Sequence, residues 1–279
     1  MEPCVTELSG KIAVITGASA PRGIGQAIAR RLATDGATVV VTDMEGAFSL
    51  EGRSYDRTEL LNNLANEIAA NGGTALPLSL DVTQVDDITR CINAVRDRFG
   101  RIDILVNNAG SLAGSAAFME TAPDQWESSF RVNLLGPVML CQAVIPAMRA
   151  AGGGRIVNIG STGSLGAEPG FGAYTAMKHA LAALSKTIAA EEGQYGILCN
   201  TVCPGFIMTD MHMAANRRLA EEAGIEVEEM QARRYATVAT RHAGQPEDVA
   251  AAVAYLASSQ GRYVTGINLP VTGGVPYGI

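Results

Sequence analysis

Apolar runs of strand length alternate along the chain with segments whose apolar residues recur at helical spacing. Lys11–Thr16 predicts a first buried strand, and Ile24–Gly36 a helix that stops at its closing glycine. Thr38–Asp43 is β-branched and predicts the second strand; Asp56–Asn71 predicts a helix ended by Gly72 and Gly73. Leu76–Leu80, Val85–Phe99 and Ile102–Val106 continue as strand, helix and strand. Trp126–Ala150 predicts a long helix with a kink near Gly136-Pro137. Arg155–Ile159 predicts a strand, Tyr174–Glu192 an apolar helix and Ile197–Val202 another strand. Alternation repeated this often implies an α/β fold, a doubly wound parallel sheet with helices on both faces. No linker interrupts it, so residues 1–279 are expected to form a single domain. Two stretches break the rhythm. Met44–Tyr55 is longer than a usual strand–helix connection. Gly205–His242 is charged, Met-containing and rich in helix formers, which suits a helical lid over residues 205–242.

Composition narrows the function classes. Of 279 residues, 47% are hydrophobic and 18% charged, so a large core is expected. The net charge is −7 with no basic run, which disfavours nucleic acid and anionic membranes as partners. Cys4, Cys91, Cys141, Cys199 and Cys203 form no CxxC pair, and no histidine clusters with them, so neither a disulfide framework nor a metal site is expected. Met1–Gly10 lacks the apolar run of a secretory signal, and no stretch is expected to reach the ~18 apolar residues of a membrane span. The expected location is cytoplasmic.

The turn after the first strand is glycine-rich: Thr16-Gly17-Ala18-Ser19-Ala20-Pro21-Arg22-Gly23-Ile24-Gly25. Such a turn at the positive end of a helix dipole lets a pyrophosphate lie against bare backbone N–H groups. A plain strand–helix turn is the bland alternative. Asp43 ends the second strand, where a carboxylate can accept both ribose hydroxyls of NAD and repel a 2′-phosphate. Arg22 could instead pair with that phosphate of NADP, but Met44 rather than a basic residue follows Asp43. NAD is therefore the expected cofactor, with NADP the alternative, on a Rossmann fold. Asp81-Val82 follows the third strand; its carboxylate suits an adenine amino group or a helix N-cap. Asn107-Asn108-Ala109-Gly110 follows the fourth strand, where small and amide residues can line a cofactor and tie strand ends together.

Tyr174 and Lys178 are four apart at a helix start, on one face. A tyrosine with its usual pKa near 10 is a poor base at neutral pH, and a nearby ammonium favours its phenolate. Alone, this spacing usually marks only a surface pair. Ser161, at the end of the fifth strand, can bring its hydroxyl to the same substrate oxygen. Asn133 sits in an otherwise apolar helix, where a buried amide needs partners; it could bend that helix and hold a water linked to Lys178, or be a satisfied core amide.

In combination these motifs resemble the short-chain dehydrogenase/reductase family, from about Gly10 to about Gly274, with Pro204-Gly205 and Thr209 completing the pattern. The resemblance implies that Tyr174 is the acid in reduction and the base in oxidation. Lys178 would lower its pKa and bind the nicotinamide ribose. Ser161 would steady the carbonyl or alkoxide oxygen, and Asn133 would position a relay water. The Ile207 backbone and Thr209 would bind the carboxamide. It also implies a homo-oligomer, usually a tetramer, assembled through the helices near Asn133 and Tyr174. One departure is a glycine turn with five residues, Ala18 to Arg22, between its first two glycines where the family usually has three; Pro21-Arg22 look like the extra pair. A second is Met44–Tyr55, since some relatives with such insertions hold their cofactor tightly, although the loop could equally be a surface elaboration. Expected pocket walls are Ser111–Phe118, Gly163–Phe171, Phe206, Met208, Met211, Met213 and Tyr235, which suit an apolar secondary alcohol or ketone. The alternatives are a 3-oxoacyl thioester reduced with NADPH, a non-catalytic NAD sensor, and an epimerase or dehydratase that retains its cofactor.

Overall fold

The computed structural model describes residues 7–50, 53–167 and 169–276. Met1–Thr6, with Cys4, lie outside these, as do residues 51 and 52 of the Met44–Tyr55 segment, Glu168 of the Gly163–Phe171 wall, and the last three residues.

Seven parallel strands form the central sheet, in the order β5-β2-β1-β6-β7-β8-β9. They are β1 (Ile12–Thr16), β2 (Thr38–Asp43), β5 (Thr74–Ser79), β6 (Ile104–Asn107), β7 (Gly154–Ile159), β8 (Ile197–Pro204) and β9 (Asn268–Val271). Their apolar runs are nearly continuous because both faces are covered. Alternate side chains enter opposite cores. Ala13, Ile15, Val39, Val41, Ile104, Val106, Val157 and Ile159 pack with helices α1 (Ile24–Thr34) and α9 (Pro246–Ala257). Ile12, Val14, Val40, Leu105 and Ile156 pack with α3 (Val85–Phe99) and α5 (Gly136–Ala150). Each such buried Ile, Val or Leu contributes roughly 1.5–3 kcal/mol.

The expected elements form within a few residues of their predicted bounds. Helix α2 (Arg57–Ala70) starts where the Asp56 carboxylate accepts from Glu59 N at 2.9 Å, and α3 stops at Gly100 with φ +74°. Strand β9 and helix α9 lie outside the elements expected from the sequence. So does the pairing of Met44–Tyr55 with itself. Strands β3 (Ala47–Leu50) and β4 (Arg53–Asp56) make an antiparallel hairpin, in which Phe48 stacks on Tyr55 at 5.6 Å between ring centroids.

Two expectations need correction. The irregularity in the long helix is a π-turn over Arg131–Leu135, between α4 (Pro123–Phe130) and α5, just before Gly136-Pro137. Asn133 is buried in that turn, and Gly136 and Pro137 are buried at the start of α5. The expectation that no stretch is long and apolar enough for a membrane span is also wrong. The helical stretch Pro123–Ala150 is long and apolar enough, with a mean hydropathy of 1.3 over its most apolar 18 residues, because amides and prolines interrupt the run without adding charge. One such helix is weak evidence of a span, and here it packs against α6 (Gly172–Glu192), α3 and the sheet.

Candidate active site

The sheet reverses its winding between β1 and β6, so the turns after these strands open a crevice at their carboxyl ends. Gly17 follows β1 with φ +68°, and a Cβ there would stand 2.7 Å from Ala109 Cα. Only glycine lets the two turns touch. Asn108 Nδ2 donates to the carbonyls of Thr16 at 2.8 Å and Gly17 at 2.9 Å, and the Thr16 hydroxyl accepts from the Asn108 and Ala109 N–H groups. Asn107 Nδ2 reaches across to Asn158 Oδ1 on β7 at 2.7 Å. The amides therefore tie strand ends together, as expected.

The N-terminus of α1 carries no side-chain cap and no acidic residue in its first turn. Its backbone N–H groups are left for an anion. Gly17, Ser19, Ala20, Gly23 and Ile24 line one end of a cavity of about 730 Å³, and Ser161, Tyr174 and Lys178 line its other part. That volume is within the roughly 300–1,000 Å³ of small-molecule and cofactor sites. Gly110, Asp81, Val82, Asn108, Ala109, Pro204, Gly205, Ile207 and Thr209 also line it, whereas Gly25 and Arg22 do not. Gly25 acts by packing: a Cβ there would meet Gly17 O at 2.5 Å.

The carboxylates divide. Asp43 accepts from the Ser19 hydroxyl at 2.7 Å and from Ser19 N at 3.1 Å, which braces the glycine turn. Arg57 Nε stands 3.7 Å from Asp43 Oδ1, and its guanidinium lies 4.9 Å from the Phe48 ring centroid. Both Phe48 of the hairpin and Arg57 of α2 line the cavity, so the insertion reaches it beside Asp43. Asp81 accepts from the N–H and hydroxyl of Thr83, at 2.9 and 2.8 Å, closing a local turn; the N-cap of α3 is Gln84.

At the other end, the structure brings together the three predicted side chains. Ser161 leaves β7 in extended conformation and its Oγ accepts from Gly163 N at 3.1 Å. Tyr174 and Lys178 lie on α6, with Lys178 Nζ 5.5 Å from the Tyr174 ring centroid. Lys178 is only 3% exposed and donates to Ile159 O at 2.7 Å. Burial pushes its pKa from 10.5 down to about 8, against a smaller opposing pull from Cys203. Burial pushes the Tyr174 phenol up, against the downward pull of a hydrogen bond with Ser161. This reverses the expected direction: in the cofactor-free site desolvation of the phenolate is the larger effect. Asn133 is fully buried, donating to Ser111 O at 2.9 Å and Ser129 Oγ at 3.1 Å and accepting from Ser111 N at 3.1 Å. A side chain at Gly110 would meet Asn133 Oδ1 at 3.3 Å and Lys178 Nζ at 3.7 Å, so both amide and amine face that backbone.

The stretch expected to form a lid folds into α7 (Asp210–Ala223) and α8 (Val227–Tyr235). Thr209 caps α7, its hydroxyl accepting from His212 N at 3.2 Å. His212 Nε2 and the Tyr235 hydroxyl are 2.9 Å apart, and the rings of Phe206, His212 and Tyr235 form a triangle with centroids 5.5, 5.9 and 6.2 Å apart. Burial, with the nearby Arg234 charge, lowers the His212 pKa to about 4, so it is neutral near pH 7. Of the expected walls, Leu112, Gly163, Gly166, Ala167, Pro169, Phe171, Phe206 and Met211 line the cavity. Met208, Met213, Phe118 and Tyr235 do not. Met208 Sδ instead accepts from Tyr235, and Phe118 is 71% exposed with its edge on Trp126. Sequence reasoning missed His212, Arg234, Asp210 and Arg57. For Asp210 and Arg57 the signal was present, since each follows a helix-capping residue beside a predicted site.

Cys91, Cys141, Cys199 and Cys203 are buried free thiols, and no metal-ligand cluster occurs among the described residues. Burial raises Cys203 to about 11 and Cys141 to about 12, so neither is a thiolate nucleophile at neutral pH.

Comparison with known proteins agrees with this geometry. The family model described as enoyl-(acyl carrier protein) reductase matches residues 17–276. A 3-oxoacyl-[acyl-carrier-protein] reductase of Vibrio harveyi is 35% identical over 96% of this chain and 98% of its own length. A 7alpha-hydroxysteroid dehydrogenase of Bacteroides fragilis is 34% identical, over 97% of this chain and 96% of its own. The structure of a single-substitution variant of actinorhodin polyketide ketoreductase with NADPH superposes with a TM-score of 0.86 at 34% identity, covering 95% of this chain and 97% of that one. The chain therefore belongs to the short-chain dehydrogenase/reductase family of NAD(P)-dependent oxidoreductases.

Proposed function

We propose that this chain interconverts an apolar secondary alcohol and its ketone, with NAD as hydride carrier and Tyr174 as acid and base. The observation that carries the reading is the Ser161–Tyr174–Lys178 group, with its lysine buried, sharing one cavity with an uncapped helix N-terminus. The dinucleotide would lie on Gly17, Gly23, Ile24 and the Asn108–Gly110 turn, with Asp43 and Asp81 toward its adenosine and Ile207 and Thr209 toward its carboxamide. When bound, it supplies or accepts the hydride. Ser161 holds the substrate oxygen, Tyr174 gives or takes the proton there, and Lys178 orders the ribose and faces Tyr174 with its charge. Asn133, whose amide borders Lys178 at Gly110, is assigned the relay position. Residues 1–279 act as one unit, with 205–242 as the lid.

An apolar substrate is supported by Leu112, Ala167, Pro169, Phe171, Phe206 and Met211 around the reacting end. A 3-oxoacyl thioester with NADPH is the second reading, favoured by the Vibrio relative's name and by Arg57 beside Asp43. NAD is supported by the Asp43 carboxylate at the ribose end and by Arg22, which pairs with Asp210 of the lid. Formation of NADH from NAD across a panel of secondary alcohols, repeated with NADP, tests this. The expected result is turnover with NAD preferred at least tenfold, and a shift toward NADP in Asp43→Ala, where Arg57 loses its counter-charge. A tenfold preference for NADP in the wild type sinks the cofactor assignment; binding without turnover sinks the enzyme assignment.

The proposal includes a homo-oligomer, a tetramer. Only 33% of the most apolar window of Pro123–Ala150 is buried within the chain, so much of that surface is left for another copy. Sedimentation of a monomer at micromolar concentration would remove this part.

A further inference from the structure

The lengthened glycine turn has a partner on the lid. Arg22, at the end of that turn, reaches Asp210, the first residue of α7 and 188 positions away in sequence. Arg22 Nε lies 2.5 Å from Asp210 Oδ1. The two ends are unequal. The Arg22 side chain is 48% exposed, whereas that of Asp210 is 10% exposed and its Oδ2 is buried without a hydrogen-bond partner. A carboxylate so placed depends on the guanidinium, because removing one partner of a buried pair leaves an uncompensated charge.

The position of the pair gives it a role. Arg22 immediately precedes Gly23, the N-cap of α1, where a pyrophosphate meets backbone N–H groups. Asp210 follows Thr209 and lines the same cavity. The contact therefore ties the turn under the phosphates to the lid over the reacting end. Behind it, α7 and α8 are joined by His212 and Asn216 of α7, both at the Tyr235 hydroxyl of α8.

We propose that Arg22 and Asp210 form a clasp across the pyrophosphate groove that retains the bound dinucleotide and sets its rate of release. Opening the lid breaks the pair and strands the Asp210 charge, so the closed state is favoured. The bound pyrophosphate would bring a further anion to the N-terminus of α1, beside Arg22. Asp210 acts through Arg22 and is a positioning residue. The proposal rests on a dinucleotide occupying this groove, but on neither the substrate nor the choice between NAD and NADP.

The test is displacement of NADH, and separately of NADPH, from the wild type, Arg22→Gln, Asp210→Asn, the double variant and the charge swap Arg22→Asp/Asp210→Arg. Stopped-flow nicotinamide fluorescence reads the rates. Each single variant is expected to release dinucleotide about tenfold faster with association changed less than threefold. The double variant should be no faster than the faster single, and the charge swap should recover at least part of the retention. A purely structural role would change melting temperature without this non-additivity. Single variants within twofold of the wild type, or effects that multiply in the double variant, overturn the clasp. Arg22→Gln alters the half-exposed partner, so it remains decisive if Asp210→Asn fails to fold. Failure of the alcohol assignment would appear as absent turnover while these displacement rates still report on the clasp.

Discussion

Tyr174→Phe is expected to lower turnover by about 10²–10⁴-fold while leaving the melting temperature and dinucleotide affinity close to those of the wild type. The ring keeps its place on α6 beside Lys178, and only the hydroxyl that meets Ser161 is lost. Burial raises the Tyr174 pKa above its ordinary 10, so in the cofactor-free enzyme the phenol holds its proton across the neutral range. It is thus ready to donate in ketone reduction. Alcohol oxidation needs the phenolate, so its rate should climb with pH over the range in which reduction is flat or falls. Steady-state rates in both directions from pH 6 to 10 check this. Tyr174→Phe with turnover within threefold of the wild type, or with the same alkaline rise in oxidation, would refute the acid/base role.

The legibility of this site followed from how local each signal is. β2 was readable to the residue because Thr38–Asp43 is β-branched and bounded by turn residues, and α3 because Val85–Phe99 has a clean apolar stripe and Gly100 to end it. The Tyr174–Lys178 spacing is set by one helical turn, so it survives into three dimensions unchanged. The misses needed distance information. The β3–β4 hairpin is built from a cross-strand Phe48–Tyr55 stack that no period reveals. Arg22 pairs with a residue 188 positions away, so its neighbours in sequence could suggest only a phosphate. The pKa of Tyr174 went the other way because spacing supplied the lysine's charge but not the desolvation that burial imposes on both groups. Met208 and Met213 belong to a lid whose inward face depends on how α7 and α8 pack, and their sequence pattern alone did not say which methionine would line the cavity.

Lys178→Met is expected to lose turnover by at least ~10²-fold and yet to stabilise the cofactor-free protein near pH 7. The ammonium is almost fully buried, and its pKa is pushed from 10.5 to about 8 by desolvation. At about 1.36 kcal/mol per unit, that gap is a cost to folding of about 3 kcal/mol. The bond from Nζ to Ile159 O is lost in the variant, which returns about 1 kcal/mol. A net gain of about 2 kcal/mol remains, measurable as several degrees in melting temperature. Its pH dependence identifies the cause. Below pH 8 both folded and unfolded lysine are charged, and the cost is present in full. Between about 8 and 10.5 the folded group gives up its proton first, so the wild type regains stability as pH rises. Above 10.5 both states are neutral and no charge penalty remains. Melting curves of the two proteins from pH 6.5 to 10 should therefore converge upward through this window. A wild type more stable than the variant at pH 7, or a difference that does not change with pH, would show that Lys178 is not held at a folding cost for the chemistry it serves.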